Sequence, residues 1–165
     1  MKYATVFIAF SFFHFIACGQ EATISKTRFV AGLSAPELFH LGFTHRVARF
    51  SQFGLNAGIG PSWGMVWTAV SLEHRLYFGK TSERTHQKLW FFRQGSTWFP
   101  AATEPSQDFT FNLTAGKDIP FKNGKNGFTI DLGVFYLPDS EDSSVMLVRS
   151  WNLWPALRFE FYFSF

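Results

Sequence analysis

The chain has 165 residues, enough for one domain with a substantial core, and 20% of them are aromatic, including 23 Phe. Its formal charge is +3, and the basic residues are scattered rather than arranged in a stripe, which argues against a nucleic-acid-binding protein. No apolar run reaches the roughly 20 residues of a helical membrane span, whereas a transmembrane β-strand needs only about 10 alternating positions. The composition therefore favours a β-barrel over a helical membrane protein.

The N-terminal segment is typical of a secretory signal peptide. Lys2 precedes an apolar stretch, residues 3–17, that is too short to cross a bilayer comfortably. We predict a signal peptide over 1–20 with cleavage near Gly19, followed by a mature domain over 21–165.

The chain has a single cysteine, Cys18, so no disulfide can form within one chain. The residues around Cys18 also resemble a lipoprotein signal, with Phe15 at the place where that signal usually has Leu. Ordinary cleavage is the prediction, and lipidation of Cys18 is the alternative.

Three strands with alternating apolar residues are predicted in the first part of the mature chain. They cover residues 27–34, 37–47 and, after a turn near Arg49, 53–60. The glycines of the third strand all fall on one face, where they would leave room for larger side chains inside a narrow barrel. The apolar faces consist of Phe29, Ala31, Leu33, Phe39, Leu41, Phe43, Phe53, Leu55, Ala57 and Ile59.

The fourth strand, residues 66–78, indicates which face points inward. Glu73 and Arg75 lie on the face opposite Leu72. An Arg on the lipid side at mid-depth would cost roughly 2–4 kcal/mol, so both charged side chains are assigned to the lumen, where they can pair. A polar turn follows at 79–84.

Strands five to seven continue the alternation. Strand five, residues 85–99, contains the consecutive apolar residues Leu-Trp-Phe-Phe, so the pattern does not define its register. Strand six has apolar positions at 109–115, and a hairpin connection with two Asn-Gly pairs covers 117–126. Strand seven, residues 128–136, places Asp131 on its inward face.

The last eleven residues, 155–165, alternate with almost no error. Arg158 and Glu160 lie on one face, and the other face is apolar up to the terminal carboxylate. Such a face is hard to bury at a chain end and fits better against lipid. Its members are Leu157, Phe159, Phe161, Phe163 and Phe165.

This ending resembles the terminal strand of small eight-stranded bacterial outer-membrane β-barrel proteins, whose last residue is typically Phe and whose preceding alternate positions are apolar or aromatic. The resemblance implies an outer-membrane location, contact with outer-membrane lipids, and recognition of Phe159, Phe161, Phe163 and Phe165 by the barrel-assembly machinery. It also implies periplasmic termini, which would make the long connection at 138–154 extracellular.

We therefore expect an all-β protein, an eight-stranded antiparallel up-and-down transmembrane β-barrel preceded by a signal peptide. In this topology five of the six tryptophans fall at one rim, and Trp90 is the exception. Aromatic girdles mark the interfaces of membrane barrels, so the clustering supports the topology. The candidate interface residues are Trp63, Trp67, Trp98, Trp151 and Trp154.

Charged residues predicted to face the lumen form the candidate site. The structural interpretation is a packed, charge-balanced plug in a barrel too narrow for a water channel, and the functional alternative is a narrow ion path or a polar ligand site. Because strands one and eight should be neighbours, Arg28 could meet Glu160. The candidate lumen network is Arg28, Arg46, Glu73, Arg75, Asp131, Arg158 and Glu160.

No catalytic, metal or cofactor site is predicted. His40 is the least implausible general base because it faces inward, but a lone lumen histidine is more often a hydrogen-bonded filler. No pair of His and carboxylate has convincing metal spacing. The Gly-Lys-Thr sequence at 79–81 lacks the first glycine of a phosphate-binding loop, since His74 occupies its place, and His74 is expected to face lipid or its headgroups.

The expected function is that of a non-enzymatic outer-membrane barrel, structural or adhesive, whose extracellular loops would contact a partner that the sequence does not identify. One alternative is an outer-membrane lipid-modifying enzyme, a hydrolase or acyltransferase, in which replacing His40 or Ser71 would abolish turnover. The other is a secreted lipocalin-like binding protein, whose apolar side would face inward and would leave Glu73, Arg75 and Asp131 in water.

Overall fold

A computed structural model describes residues 27–35, 37–62, 65–83, 85–100, 108–122, 124–137 and 152–165. The predicted signal peptide and Cys18 lie outside these ranges. Within them there is no helix long and apolar enough to cross a membrane, a finding that has no bearing on spans made of strands. The strands are β1 (Thr27–Ser34), β2 (Phe39–Ala48), β3 (Ser51–Ser62), β4 (Met65–Thr81), β5 (Lys88–Phe99), β6 (Asp108–Pro120), β7 (Asn126–Tyr136) and β8 (Leu153–Ser164).

The eight strands form one closed antiparallel barrel. Each strand pairs with the next along the chain, and β8 pairs with β1, with Arg28 opposite Ser164 and Gly32 opposite Glu160. The predicted eight-stranded antiparallel barrel is therefore confirmed. Below, the loop end is the end where β1, β3, β5 and β7 stop, and the terminal end is the opposite one, which holds Thr27 and Phe165.

The alternation in the sequence sorts polar side chains to the inside and apolar ones to the outside. Along β2, exposed and buried residues alternate at almost every position. Outward Leu132 is 63% exposed and Phe161 55%, whereas Arg75 and Glu160 are each 1% exposed. The described part of the molecule thus has the reverse of the usual soluble pattern, with apolar residues outside and charges inside.

Several strand boundaries differ from the prediction. Strand β6 runs to Pro120 and includes Asp118, whose side chain is 2% exposed inside the barrel. Polar residues on an inward face are normal in such a strand, so polarity alone did not mark where the turn begins. Other boundaries also differ: β2 begins at Phe39 instead of 37, β3 continues through Ser62, β4 through Thr81, β5 begins at Lys88 instead of 85, and β8 begins at Leu153 instead of 155.

Gly54 shows why one face of β3 is rich in glycine. A Cβ at this position would lie 2.6 Å from Cγ of Glu73 on the neighbouring strand, closer than a carbon atom can approach. The glycine therefore provides the space that the Glu73 side chain occupies, as its position on the inward face predicts.

Candidate functional site: the charged barrel interior

The barrel interior holds equal numbers of opposite charges in the part that the structure describes. All seven predicted lumen residues are buried there, and Glu37, Arg93 and Asp118 join them. This gives five guanidinium groups and five carboxylates with no lysine. Arg suits such a site because its planar group donates several hydrogen bonds and resists deprotonation. The buried cations are Arg28, Arg46, Arg75, Arg93 and Arg158, and the buried acids are Glu37, Glu73, Asp118, Asp131 and Glu160.

Glu73 lies at the centre of this network. Its carboxylate accepts hydrogen bonds from Arg75 Nε at 3.1 Å, from Arg75 Nη2 at 2.6 Å and from Arg93 Nη1 at 3.3 Å, as well as from Arg158 Nη1. Arg93 reaches on to Asp131 Oδ1 at 2.9 Å. A buried carboxylate needs partners of opposite charge to offset the loss of its hydration, and three guanidinium groups supply them here.

Glu160 links the centre of the network to His40. The Glu160 carboxylate accepts from Arg75 Nη2 at 2.7 and 3.0 Å, and His40 Nε2 lies 3.3 Å from Glu160 Oε2. Arg75 therefore bridges Glu73 and Glu160, and it also stacks 5.3 Å from the ring centroid of Phe91. Strands β4 and β8 are joined across the barrel by these contacts.

The bonding of His40 bears on the enzymatic alternative. His40 Nε2 lies 3.0 Å from Arg158 Nε and 3.3 Å from Glu160 Oε2, and Nδ1 lies 3.2 Å from Ser34 Oγ. Both ring nitrogens therefore have polar partners within the network. Ser71 bonds to Glu37 and Thr97. The structure therefore does not join His40 and Ser71 as a base and its nucleophile.

A second cluster fills the terminal end of the interior. Arg28 Nη1 donates to Asp118 Oδ2 at 2.8 Å, and the Arg28 guanidinium lies 4.3 Å from the ring centroid of Tyr162. Thr129 donates to the other oxygen of Asp118 at 2.9 Å. The predicted contact between Arg28 and Glu160 is wrong. In the β1–β8 register Glu160 lies opposite Gly32, four positions further along β1.

Each end of the barrel is braced by a connection that reaches the opposite wall. At the loop end, Glu37 precedes β2 and accepts from Thr97 on β5 at 2.9 Å and from Ser71 on β4, while Ser34 Oγ lies 3.0 Å away. At the terminal end, Gln87 precedes β5 and accepts at 3.0 Å from Arg28 on β1. Side chains of the described residues therefore bridge the walls of the barrel near both ends.

The environment of Glu37 shifts its titration. Burial alone would raise the pKa of this carboxyl, but the charge of Arg158 and the hydrogen bonds from Ser71 and Thr97 outweigh burial, so the pKa lies below its usual value. Glu37 is consequently ionised under all mildly acidic and neutral conditions, and its bonds across the loop end persist there.

Three charged residues of the network were missed by sequence reasoning. Arg93 was hidden because the apolar run before it obscured the register of β5; the burial of Phe91 and Arg93 now defines it. Glu37 was missed because the predicted strand 37–47 puts it on the same face as Phe39, whereas it in fact precedes β2. Asp118 was missed because it lay in a segment predicted as a turn. In β6 every second residue from 110 to 116 faces inward, and the same period of two continues to 118. This period could have identified Asp118 from the sequence.

The described tryptophan candidates belong to strand segments near the loop end. Trp154 is 38% exposed near the start of β8, and Trp98 is near the end of β5, both at the loop end. Trp67 belongs to β4 near the same end. Trp63 and Trp151 lie outside the described residues. The outward terminal phenylalanines are Phe159, Phe161, Phe163 and Phe165.

His74 is on the outward face, as predicted, but it is covered by its neighbours. Its ring stacks on Phe53 at 4.4 Å between centroids, and its nitrogens lie 2.8 Å from Ser51 Oγ and 3.1 Å from Gln94 Nε2. This imidazole is 7% exposed, so a polar group on the outward face has its bonding satisfied locally.

Neither a metal site nor a relative defines the chemistry further. No group of three or more His, Cys, Asp or Glu suited to a metal ion occurs among the described residues. No family model, no curated protein and no solved structure matches the chain. The geometry of the barrel is therefore the basis for the functional proposal.

Proposed function

We propose that this chain is an integral β-barrel of a bacterial outer membrane, with a structural or adhesive role carried by its loop-end connections. The supporting observation is the inverted polarity of the barrel, with exposed side chains such as Leu132 and Phe161 outside and Glu73 inside. In water, an apolar exterior of this extent would be exposed to solvent. The protein would then lack the burial of apolar surface that normally stabilises a fold. Acyl chains of a bilayer would cover it instead.

The dimensions of the strands fit this proposal. Strand β8 has 12 residues. At about 3.3 Å per residue and a tilt of about 40°, such a strand rises about 30 Å, close to the hydrocarbon thickness of a bilayer. The alternating apolar positions of β8 run along this whole length, which is what a transmembrane strand requires.

The charged interior is proposed as the structural core of the barrel. Apolar side chains of a membrane barrel face lipid, so the inside must be held together by hydrogen bonds and ion pairs. Arg75, Glu73 and Glu160 connect opposite walls in this way. Because Glu37 and Gln87 brace the two ends, we propose a plugged barrel with contacts to other molecules made at its exterior.

The two alternatives receive less support. A lipocalin-like binder would turn its apolar side inward, whereas Glu73, Arg75 and Asp131 are 1 to 2% exposed within this barrel. A lipid-modifying enzyme would need a base with a free lone pair beside a nucleophile, and His40 is engaged by Arg158. We therefore include no catalytic step in the proposal.

Cell fractionation combined with surface proteolysis tests the proposal. The full-length chain should sediment with outer membranes, require detergent for extraction, and migrate differently on gels before and after heating. Protease added to intact cells should cut the connection at 138–151, while the β2–β3 turn at Arg49 should be cut only after the outer membrane is opened. Recovery of folded protein in a detergent-free soluble fraction would overturn the proposal.

A further inference from the structure

Basic side chains are concentrated at the terminal end of the barrel. They come from the turn after β2, from both sides of the β4–β5 turn, and from the end of β6 and the turn after it. Glu83 is the one acidic side chain exposed at this end among the described residues. The set, called the basic rim below, consists of Arg49, Lys80, Lys88, Lys117, Lys122 and Lys125.

Two of the other connections have the reverse composition. Between β5 and β6 and between β7 and β8 the sequence contains four acids and one base. The connections of the chain therefore differ in the sign of their charge. These residues are Glu104, Asp139, Glu141, Asp142 and Arg149.

Aromatic side chains lie beside the lysines of the rim. Lys117 Nζ is 5.0 Å from the ring centroid of Trp90, which is 49% exposed on the outward face. Phe121 is 46% exposed in the turn before Lys122, and Phe165 is 81% exposed at the chain end. Amphipathic aromatic residues and lysines occupy the level where acyl chains meet headgroups, with the lysine stem along apolar surface and its charge in the polar layer.

From this juxtaposition we infer that the basic rim binds the headgroups of anionic phospholipids. The inference rests on the membrane insertion proposed above and names a lipid class that the inserted barrel selects. A phosphate-bearing headgroup with net negative charge complements the ammonium groups, and its acyl chains lie against Trp90 and Phe121. A cation near an anionic membrane surface contributes about 1 kcal/mol, which corresponds to about fivefold enrichment of an anionic lipid over a neutral one.

The test uses the intact barrel reconstituted in vesicles of phosphatidylcholine with trace spin-labelled lipids. The labelled species are phosphatidylglycerol and phosphatidylcholine, and the spectrum of the immobilised lipid gives the association constant of each. The variants are K88Q/K117Q/K122Q, which removes three charges, and K88R/K117R/K122R, which keeps them. Insertion is monitored separately by the heat-dependent gel shift, so failure to insert contradicts the membrane proposal itself.

For the inserted wild-type barrel we expect about fivefold preference for phosphatidylglycerol. This preference should fall severalfold as the salt concentration rises from roughly 0.05 to 0.5 M, because the Debye screening length then shortens from above to below about 10 Å. The Gln variant should insert equally well and show a clearly smaller preference, because only Arg49, Lys80 and Lys125 remain in the rim, and the Arg variant should keep the full preference. Equal binding of both lipids by inserted wild type overturns the inference, as does an undiminished preference in the Gln variant. If millimolar inorganic phosphate abolishes the lipid preference, the basic rim binds a soluble anion instead of a headgroup, and the inference is likewise overturned.

Discussion

Replacing Glu73 with Gln removes the charge at the centre of the interior while keeping the side-chain volume. Arg75, Arg93 and Arg158 would then share one neutral acceptor, and the described interior would change from equal charges to an excess of one cation. Removing one partner from a buried ion pair costs about 3–5 kcal/mol. We therefore expect the folding equilibrium constant to fall by about two to three and a half orders of magnitude.

The assay is urea-induced unfolding of the barrel in lipid vesicles, followed by tryptophan fluorescence and by the gel shift. Glu83→Gln, an exposed acid in the β4–β5 turn, is the matched control and should change stability by less than about 0.5 kcal/mol. Adding Arg158→Gln to Glu73→Gln should restore part of the loss, because the unpaired cation is removed too, with a coupling of about 0.5–3 kcal/mol. A loss below about 1 kcal/mol for Glu73→Gln, or strictly additive losses in the double variant, would refute the central role of this carboxylate.

Three further substitutions test other parts of the structure. Gly54→Ala should destabilise the barrel by about 1–3 kcal/mol, because its Cβ would meet Glu73 Cγ at 2.6 Å, and outward Ala57→Val on the same strand should be near neutral in the same unfolding assay. Leu132→Arg, at an outward position 63% exposed in the middle of β7, should cost about 2–4 kcal/mol in vesicles, whereas Phe121→Arg at the terminal end should cost about 0–1 kcal/mol; equal costs would contradict lipid contact at Leu132. Glu37 has a folded-state pKa below the value of 4.5 expected for the unfolded chain, so its stabilising contribution is complete above pH 4.5 and is lost as pH falls towards the lower pKa. Glu37→Gln should remove that part of the acid dependence, and pH titrations of stability that are parallel in both proteins would contradict the assignment.

The sidedness of the barrel could be predicted from the sequence because strand geometry has a strict period of two. A single charged pair in β4, Glu73 and Arg75, was enough to decide which face points inward, and the structure places both inside. Closure of β8 onto β1 followed from the number of alternating segments. Sidedness depends on the local geometry of each strand, whereas closure was inferred from the strand count.

The specific ion pairs could not be predicted, because they depend on the stagger between strands. Glu160 lies opposite Gly32, which is four residues beyond Arg28 along β1. The alternation of apolar and polar residues carries no information on this stagger between strands. Arg28 instead bonds to Asp118 on the far side of the barrel. Contacts across a barrel interior are set by its diameter and shear, which appear only once the sheet has closed.

Consecutive apolar residues obscured β5 for a different reason. Phe91 is completely buried and Phe92 is 52% exposed, so one phenylalanine packs inside against Arg75 and the next lies outside. A large apolar side chain can serve either environment in a barrel whose interior includes cation–aromatic contacts. Buried Arg93 and Thr97 mark the inward face of β5, but the apolar run before Arg93 hid this register in the sequence.

The environment of the outward face decides between a membrane barrel and a soluble one. Nitroxide labels at positions 55, 113 and 132, where outward leucines are 58 to 63% exposed, can be introduced one at a time in a chain whose only natural cysteine, Cys18, is replaced by Ser. After reconstitution, collision rates with oxygen should exceed those with a water-soluble nickel complex at all three positions, and a label at position 122 in the β6–β7 turn should show the opposite. Greater access of nickel at the three outward positions would show that water, and not lipid, surrounds the barrel.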